Sequence, residues 1–275
     1  MKILDSDNYI NEKLTIQPVT KNMLSDYKKP YADEEAIRFI KDNNLIWNPL
    51  LKGYDCEGKV KVSEDMVTDG KLKIRFGKVG GDFDCSINEL TTLEGAPNEV
   101  GGDFRCSNNK LTTLEGAPKK VRGDFICSYN NLTSLEGAPK EVGGNFSCSY
   151  NELTTLDGAP KKVGGNFSCN KNKLTTLEGT PQEVGGDFNC GYNELTTLEG
   201  APKEVGKKFG CSYNNLTTLE GAPQDVGGDF YCISNNLTSL ECAPNKVGGD
   251  FCCFDNPNIV LPEDKPSWVK GKIMN

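Results

Sequence analysis

Nine of the twelve cysteines (Cys85, Cys106, Cys127, Cys148, Cys169, Cys190, Cys211, Cys232 and Cys253) stand 21 residues apart, and the chain has no histidine. A cysteine nucleophile needs an activating base, and imidazole, the usual one, is missing. Thiolate metal sites need clustered ligands such as C-x2-C, whereas the one close pair, Cys252-Cys253, is adjacent. A phosphate-binding glycine loop and a Gly-x-Ser-x-Gly elbow are also lacking. No catalytic, metal or cofactor site is therefore predicted. An even cysteine count would suggest disulfides in a short secreted chain. A thiol that recurs once per repeat instead reads as a small buried hydrophobe.

Comparing the copies with one another separates positions that build the fold from positions free to vary. The most varied column is Asp84, Arg105, Ile126, Ser147, Ser168, Asn189, Gly210, Tyr231, Cys252. Three places further on stands a second, Ile87, Asn108, Tyr129, Tyr150, Lys171, Tyr192, Tyr213, Ser234, Asp255. Tyrosine and arginine are typical interface anchors, so the predicted partner-binding residues are Asp84, Arg105, Ile126, Tyr129, Tyr150, Lys171, Asn189, Tyr192, Tyr213 and Tyr231. The competing structural reading is that exposed tyrosines stack across strands.

Two acidic columns lend themselves to structural readings. Glu94, Glu115, Glu136, Asp157, Glu178, Glu199, Glu220 and Glu241 would hold a cation or a basic partner, or accept N–H groups from the Gly-Ala turn that follows. In Asp82, Asp103, Asp124, Asn145, Asn166, Asp187, the exchange of Asp for Asn indicates that an acceptor oxygen is wanted more than a charge.

What positions these columns is a 21-residue repeat beginning at Val79 and recurring nine times, eight copies full length and the last running out near Leu261. Such a period signifies a solenoid. Within a unit, Phe146-x-Cys148-x-x-Asn151-x-Leu153 has leucine-rich-repeat spacing. Phe and Cys alternate at period two and point inward from a short strand, and the recurring Asn can satisfy backbone groups of neighbouring coils. The Leu-Glu-Gly-Ala-Pro-x-x-Val-Gly-Gly half cannot be an α-helix, because it is short, carries Pro and ends in paired Gly. The expected fold is mainly β: a parallel sheet on the concave face, extended or polyproline-like backbone on the convex side, and only gentle curvature.

Leu-Thr-Thr-Leu followed by Pro and Val resembles the short leucine-rich repeats of secreted bacterial effectors, over about two thirds of the chain. The unit departs from theirs in having 21 rather than 20 residues and Gly-Gly before the strand. The effectors' ligase domain has no counterpart here, so their activity is not expected to carry over. Residues 8–14 (Asn-Tyr-Ile-Asn-Glu-Lys-Leu) and the Phe-x-Cys-Ser-x-Asn unit resemble segments of proteins encoded by large tailed bacteriophages.

Residues 1–44 are expected to form an N-terminal segment with a short helix at 32–43, its face made by Ala36, Ile37 and Ile40. Residues 45–78 read as a cap in which Tyr54-Asp55-Cys56 echoes the Phe-x-Cys strand, 79–261 as the solenoid, and 262–275 as a C-terminal cap. There Ile259, Val260, Leu261, Trp268 and Val269 would close the core, and Pro257, Pro262 and Pro266 would prevent further strand addition.

The formal charge of −8 argues against nucleic acid or anionic membrane as a partner. Residues 1–78 are balanced (14 basic, 13 acidic), so residues 79–275, with 17 basic and 26 acidic side chains, carry the excess, which belongs to the repetitive part. No run approaches the roughly 18 apolar residues of a membrane span. Asp5 and Asp7 interrupt any secretory core, so a cytoplasmic monomer is expected. The function expected is a non-enzymatic module that binds a host protein through the concave face. The alternatives are a structural or adhesive spacer and, more weakly, a binder of a small anion held by Arg105 and Lys171.

Overall fold

The computed structural model describes residues 33–275; residues 8–14, which carry part of the bacteriophage resemblance, lie outside the described residues. The chain winds into a β-solenoid bounded by two 11-stranded sheets. One sheet carries the Phe-x-Cys strands, from Phe83–Asp84 to Phe251–Cys252, paired in parallel so that each residue faces its equivalent 21 positions on, as in Phe125↔Phe146 and Ile126↔Ser147. The other carries two-residue strands ending in the repeat valine, such as Glu141–Val142 and Lys162–Val163. This second sheet occupies the side where extended or polyproline-like backbone was expected from sequence. Its backbone is extended as anticipated, but stacking at a constant period also brings its N–H and C=O groups opposite those of the next coil.

The corner between the sheets is Gly-Gly in all but two coils, where Arg122 and Lys207 replace one glycine, and the preference has a steric reason. A Cβ at Gly101 would lie 2.0 Å from the Gly80 carbonyl oxygen, so a side chain at that position would displace the neighbouring coil. The expected acceptor ladder at this corner is present. Asp82 Oδ1 takes the Asp103 N–H at 2.9 Å, Asp124 Oδ1 takes the Asn145 N–H at 2.7 Å, and Asn145 Oδ1 takes the Asn166 N–H at 2.7 Å.

Val, Phe and Cys of each coil are buried, as are the leucine pairs from Leu90 and Leu93 to Leu216 and Leu219 and also Leu237, while Leu240 is partly buried. From Phe83 to Phe251 successive phenylalanine rings stack at 5.0–5.7 Å. Edge-on rings end the stack, Phe76 on Phe83 at 75° and Trp268 on Phe251 at 78°. The recurring asparagine is buried, and its side chain ties its own coil to the one before. Asn151 Nδ2 donates to the carbonyls of Cys148 (3.0 Å) and Cys127 (3.2 Å), while its Oδ1 accepts the Leu132 N–H at 3.0 Å.

Both ends depart in detail from expectation. The helix is Glu34–Asp42; Ala36 is buried and Phe39 packs edge-on against Phe76 at 6.4 Å, whereas Ile37 is exposed. Tyr54 and Cys56 lie in the valine sheet, opposite Phe76 and Val79, so they do not echo the Phe-x-Cys strand. That place is taken by Val60–Lys61, with Val60 opposite Phe83. At the other end the prolines do not stop strand addition. Val269 bridges Val247, and Ile273–Met274 pairs with Phe251–Cys252, making a further half-coil. Val260, expected in the core, is exposed.

All twelve cysteines are free thiols, eleven buried and Cys242 exposed. Burial raises the ladder thiols far above the ordinary thiol range, and pushes Cys253 up to about 11. A disulfide-exchanging thiol reagent at pH 8 is therefore expected to react rapidly with about one thiol per native chain, and with all twelve after denaturation. Rapid native reaction of several thiols, persisting after Cys242→Ser, would show that the ladder is open to solvent.

Candidate functional site

On the outer face of the phenylalanine sheet each coil presents, in order, the corner residue (Asp or Asn, except Lys208), the residue after Phe, the residue after Cys, and the residue that ends the strand. The last column adopts left-handed backbone at every rung, with φ between 53° and 60° from Ile87 to Asp255. Asn108 and Asp255 suit that conformation, whereas bulky side chains rarely adopt it. Left-handed backbone costs an ordinary L-residue about 1–2 kcal/mol.

Four of these rungs are tyrosines, joined by Lys171 into one stack. Tyr129 and Tyr150 lie 4.1 Å apart at 15°, and Tyr192 and Tyr213 lie 4.2 Å apart at 10°. Lys171 Nζ sits between the pairs, 4.6 Å from the Tyr150 centroid and 4.9 Å from that of Tyr192. Lys171 holds the Tyr150 phenol below its ordinary value and is itself held up by it. Hydrogen bonds to neighbouring phenols raise Tyr129 and Tyr192. An aromatic pair contributes about 0.5–1.5 kcal/mol and an exposed cation–π contact about 0.5–1 kcal/mol. Stacking thus roughly offsets the left-handed backbone, and asparagine would serve the fold about equally well. The stacked faces are also covered, so this ridge offers mainly ring edges, phenolic hydroxyls and one ammonium.

The other predicted residues are dispersed over the same face. Arg105 is paired with Asp103 and lies 3.9 Å from Asp82, so its guanidinium already has carboxylate partners. Asp84 and Asn189 each accept the N–H two residues on, at 3.0 Å. Ile126 is half-buried. Tyr231 belongs to the corner side: its hydroxyl donates to Asp229 at 2.9 Å, and Lys208 Nζ lies 3.1 Å from the same carboxylate. Cys252, in the varied column, is buried.

Between ridge and corner the floor is small and polar: Ser147 and Ser149, Ser168 and Asn170, Gly210 and Ser212. Sequence reasoning passed over Asn166, Ser168 and Asn170 because none of them is a large anchor. The missed signal was the loss of carboxylate at Asn145 and Asn166 in an otherwise mostly acidic column.

At the Glu94 column the turn is held differently from expectation. Glu94 N–H donates to Thr92 Oγ1 at 3.1 Å and Asp157 N–H to Thr155 Oγ1 at 3.1 Å, while the alanine N–H goes to a leucine carbonyl, as in Ala117 to Leu114 at 2.9 Å. Among the described residues no group of three or more His, Cys, Asp or Glu is placed to hold a metal ion, and no helix is long and apolar enough to cross a membrane. Comparison with protein-family models and with curated proteins finds no match to the chain.

Proposed function

We propose that the chain is a leucine-rich-repeat protein of bacteriophage origin. In this reading it is a non-enzymatic module that binds a protein of the bacterial host, working as a monomer in the host cytoplasm. The observation that carries the reading is the tyrosine–lysine ridge. Bulky residues occupy rungs where the backbone favours asparagine or glycine, and they bring no clear gain in stability. A non-enzymatic role is supported by the lack of histidine and by the burial of the ladder thiols. The spacer alternative draws on the uniform two-sheet stack, but a spacer gives no reason for one face to vary. The small-anion alternative loses Arg105 as a free cation, because Asp103 and Asp82 flank it.

Tyr150→Asn and Tyr192→Asn remove rings at rungs whose backbone asparagine adopts, as Asn108 does. The melting temperature is expected to stay within about 3 °C of the parent. Whatever partner the immobilised full chain captures from host lysate is expected to be retained about tenfold less well. Alanine at Lys140, Lys161 and Lys203, exposed beside the valine sheet, serves as control. Capture that survives the tyrosine variants and is lost in the lysine set would overturn the assignment of the face.

A further inference from the structure

Two consecutive coils have no carboxylate among the four residues they present on this face: Asn145, Ser147, Ser149 and Tyr150, then Asn166, Ser168, Asn170 and Lys171. Before them come Asp82, Asp84, Asp103 and Asp124, and after them Asp187, Lys208, Asp229, Asp250 and Asp255. One further coil, with Lys208, Gly210, Ser212 and Tyr213, also lacks a carboxylate, but its lysine is held by Asp229 at 3.1 Å; the two adjacent coils carry Lys171, which has no such partner. In the corner ladder asparagine does the same structural work as aspartate, since Asn145 Oδ1 and Asn166 Oδ1 take the next N–H at 2.7 and 2.8 Å. The amide is thus not required by the fold. What it changes is charge, and it adds a donor.

The second of these coils has donors to spare. Ser149 Oγ donates to Asn170 Oδ1 at 2.6 Å, which turns the Asn170 amide nitrogen away from that bond. Among the described residues the Asn166 amide nitrogen, the Ser168 hydroxyl and the Asn170 amide nitrogen have no hydrogen-bond acceptor. Lys171 has no carboxylate within 4.0 Å; its ammonium rests between tyrosine rings. Residues 166, 168 and 170 alternate with the buried Phe167 and Cys169 on the Phe167–Ser168 strand and the residues that flank it, roughly 7 Å apart, the spacing of alternate side chains in an extended chain.

We propose that this coil receives an acidic, extended segment of the bound protein, with carboxylates meeting the Asn166, Ser168, Asn170 and Lys171 donors. The inference rests on the protein-binding reading above and assigns that partner its chemistry. The aspartates on either side repel such a segment and so set its position along the solenoid.

Hexaglutamate, hexaglutamine and free glutamate, titrated calorimetrically into the full chain at low salt, test this directly. Hexaglutamate is expected to bind and the other two to bind at least about tenfold more weakly. Asn166→Asp keeps the ladder acceptor and is the residue most other coils carry, so it folds; it is expected to weaken hexaglutamate about tenfold or more. Lys171→Gln is expected to do the same, and Asp187→Asn to strengthen binding. Absence of hexaglutamate binding, binding unchanged in Asn166→Asp, or free glutamate binding as tightly as the peptide would each overturn the proposal. Partner capture that depends on Tyr150 and Tyr192 would still stand in those cases, so the two readings fail separately.

Discussion

Asn151→Asp is expected to destabilise the solenoid by about 3 kcal/mol or more at pH 7, while Asn145→Asp, the same chemical change six residues earlier, stays within about 1 kcal/mol. The two asparagines belong to different ladders. Asn145 accepts the Asn166 N–H and donates its amide to the Asp124 carboxylate at 3.2 Å, but it is only half-buried and lies in a column where neighbouring aspartates such as Asp103 and Asp124 are already tolerated. Asn151 is buried and uses both ends of its amide, giving hydrogen atoms to the Cys127 and Cys148 carbonyls and taking one from Leu132. A carboxylate there would aim negative charge at two carbonyl oxygens in a low-dielectric core. The folded-state pKa of such a carboxyl would be raised above its unfolded value, about 3.9. The penalty should therefore shrink as pH falls through the folded value, where protonation restores a donor, and be greatest once the group is ionised in both states. Urea unfolding of both variants at pH 7 and pH 4 measures this. Equal midpoints for the two variants at pH 7 would mean that the amide hydrogens of Asn151 do not hold the coils together.

That contrast was legible in the sequence, because Asn88 through Asn256 never exchange whereas the corner column exchanges Asp for Asn at 145 and 166 and for Lys at 208. The inward set of Phe, Cys, Asn and Leu was legible for the same reason: a buried position tolerates few residues, and nine copies sample the alternatives. The valine sheet was not. Its strands are two residues long and end against Gly-Gly, so no local pattern distinguishes them from a loop; coil-to-coil stacking creates them. The left-handed column was hidden because tyrosine carries no signal for that backbone. The C-terminal half-coil was hidden by one extra residue, Val269 standing 22 positions after Val247 while Ile273 takes a phenylalanine place. The donor row at Asn166, Ser168 and Asn170 was visible residue by residue, but its meaning depends on which hydrogen bonds the fold has already used.

Deleting residues 45–78 is expected to cost far more than deleting residues 142–162, although it removes only thirteen residues more. Removing 142–162 joins Glu141 to Val163 one full period later, so the Val121 strand can pair with the Val163 strand in the register it used before. One coil and one interface are lost, a roughly additive loss in a one-dimensional stack. Removing 45–78 takes away Val60, which pairs with Phe83, and Phe76, whose ring closes the stack edge-on at 4.9 Å and receives Phe39 of the helix. Phe83, Leu90 and Leu93, all fully buried, would then face water. At roughly 1.5–3 kcal/mol for each large apolar side chain, that exposure is on the order of 6 kcal/mol, comparable with the whole stability of many domains, about 5–15 kcal/mol. The expected outcome is that the chain lacking 142–162 elutes as a single species and unfolds in one transition at a somewhat lower urea midpoint. The chain lacking 45–78 should elute as aggregates or unfold without a sharp transition. If both deletions remain soluble with similar midpoints, residues 45–78 do not shield the end of the core, and the phenylalanine stack must tolerate an open face at Phe83.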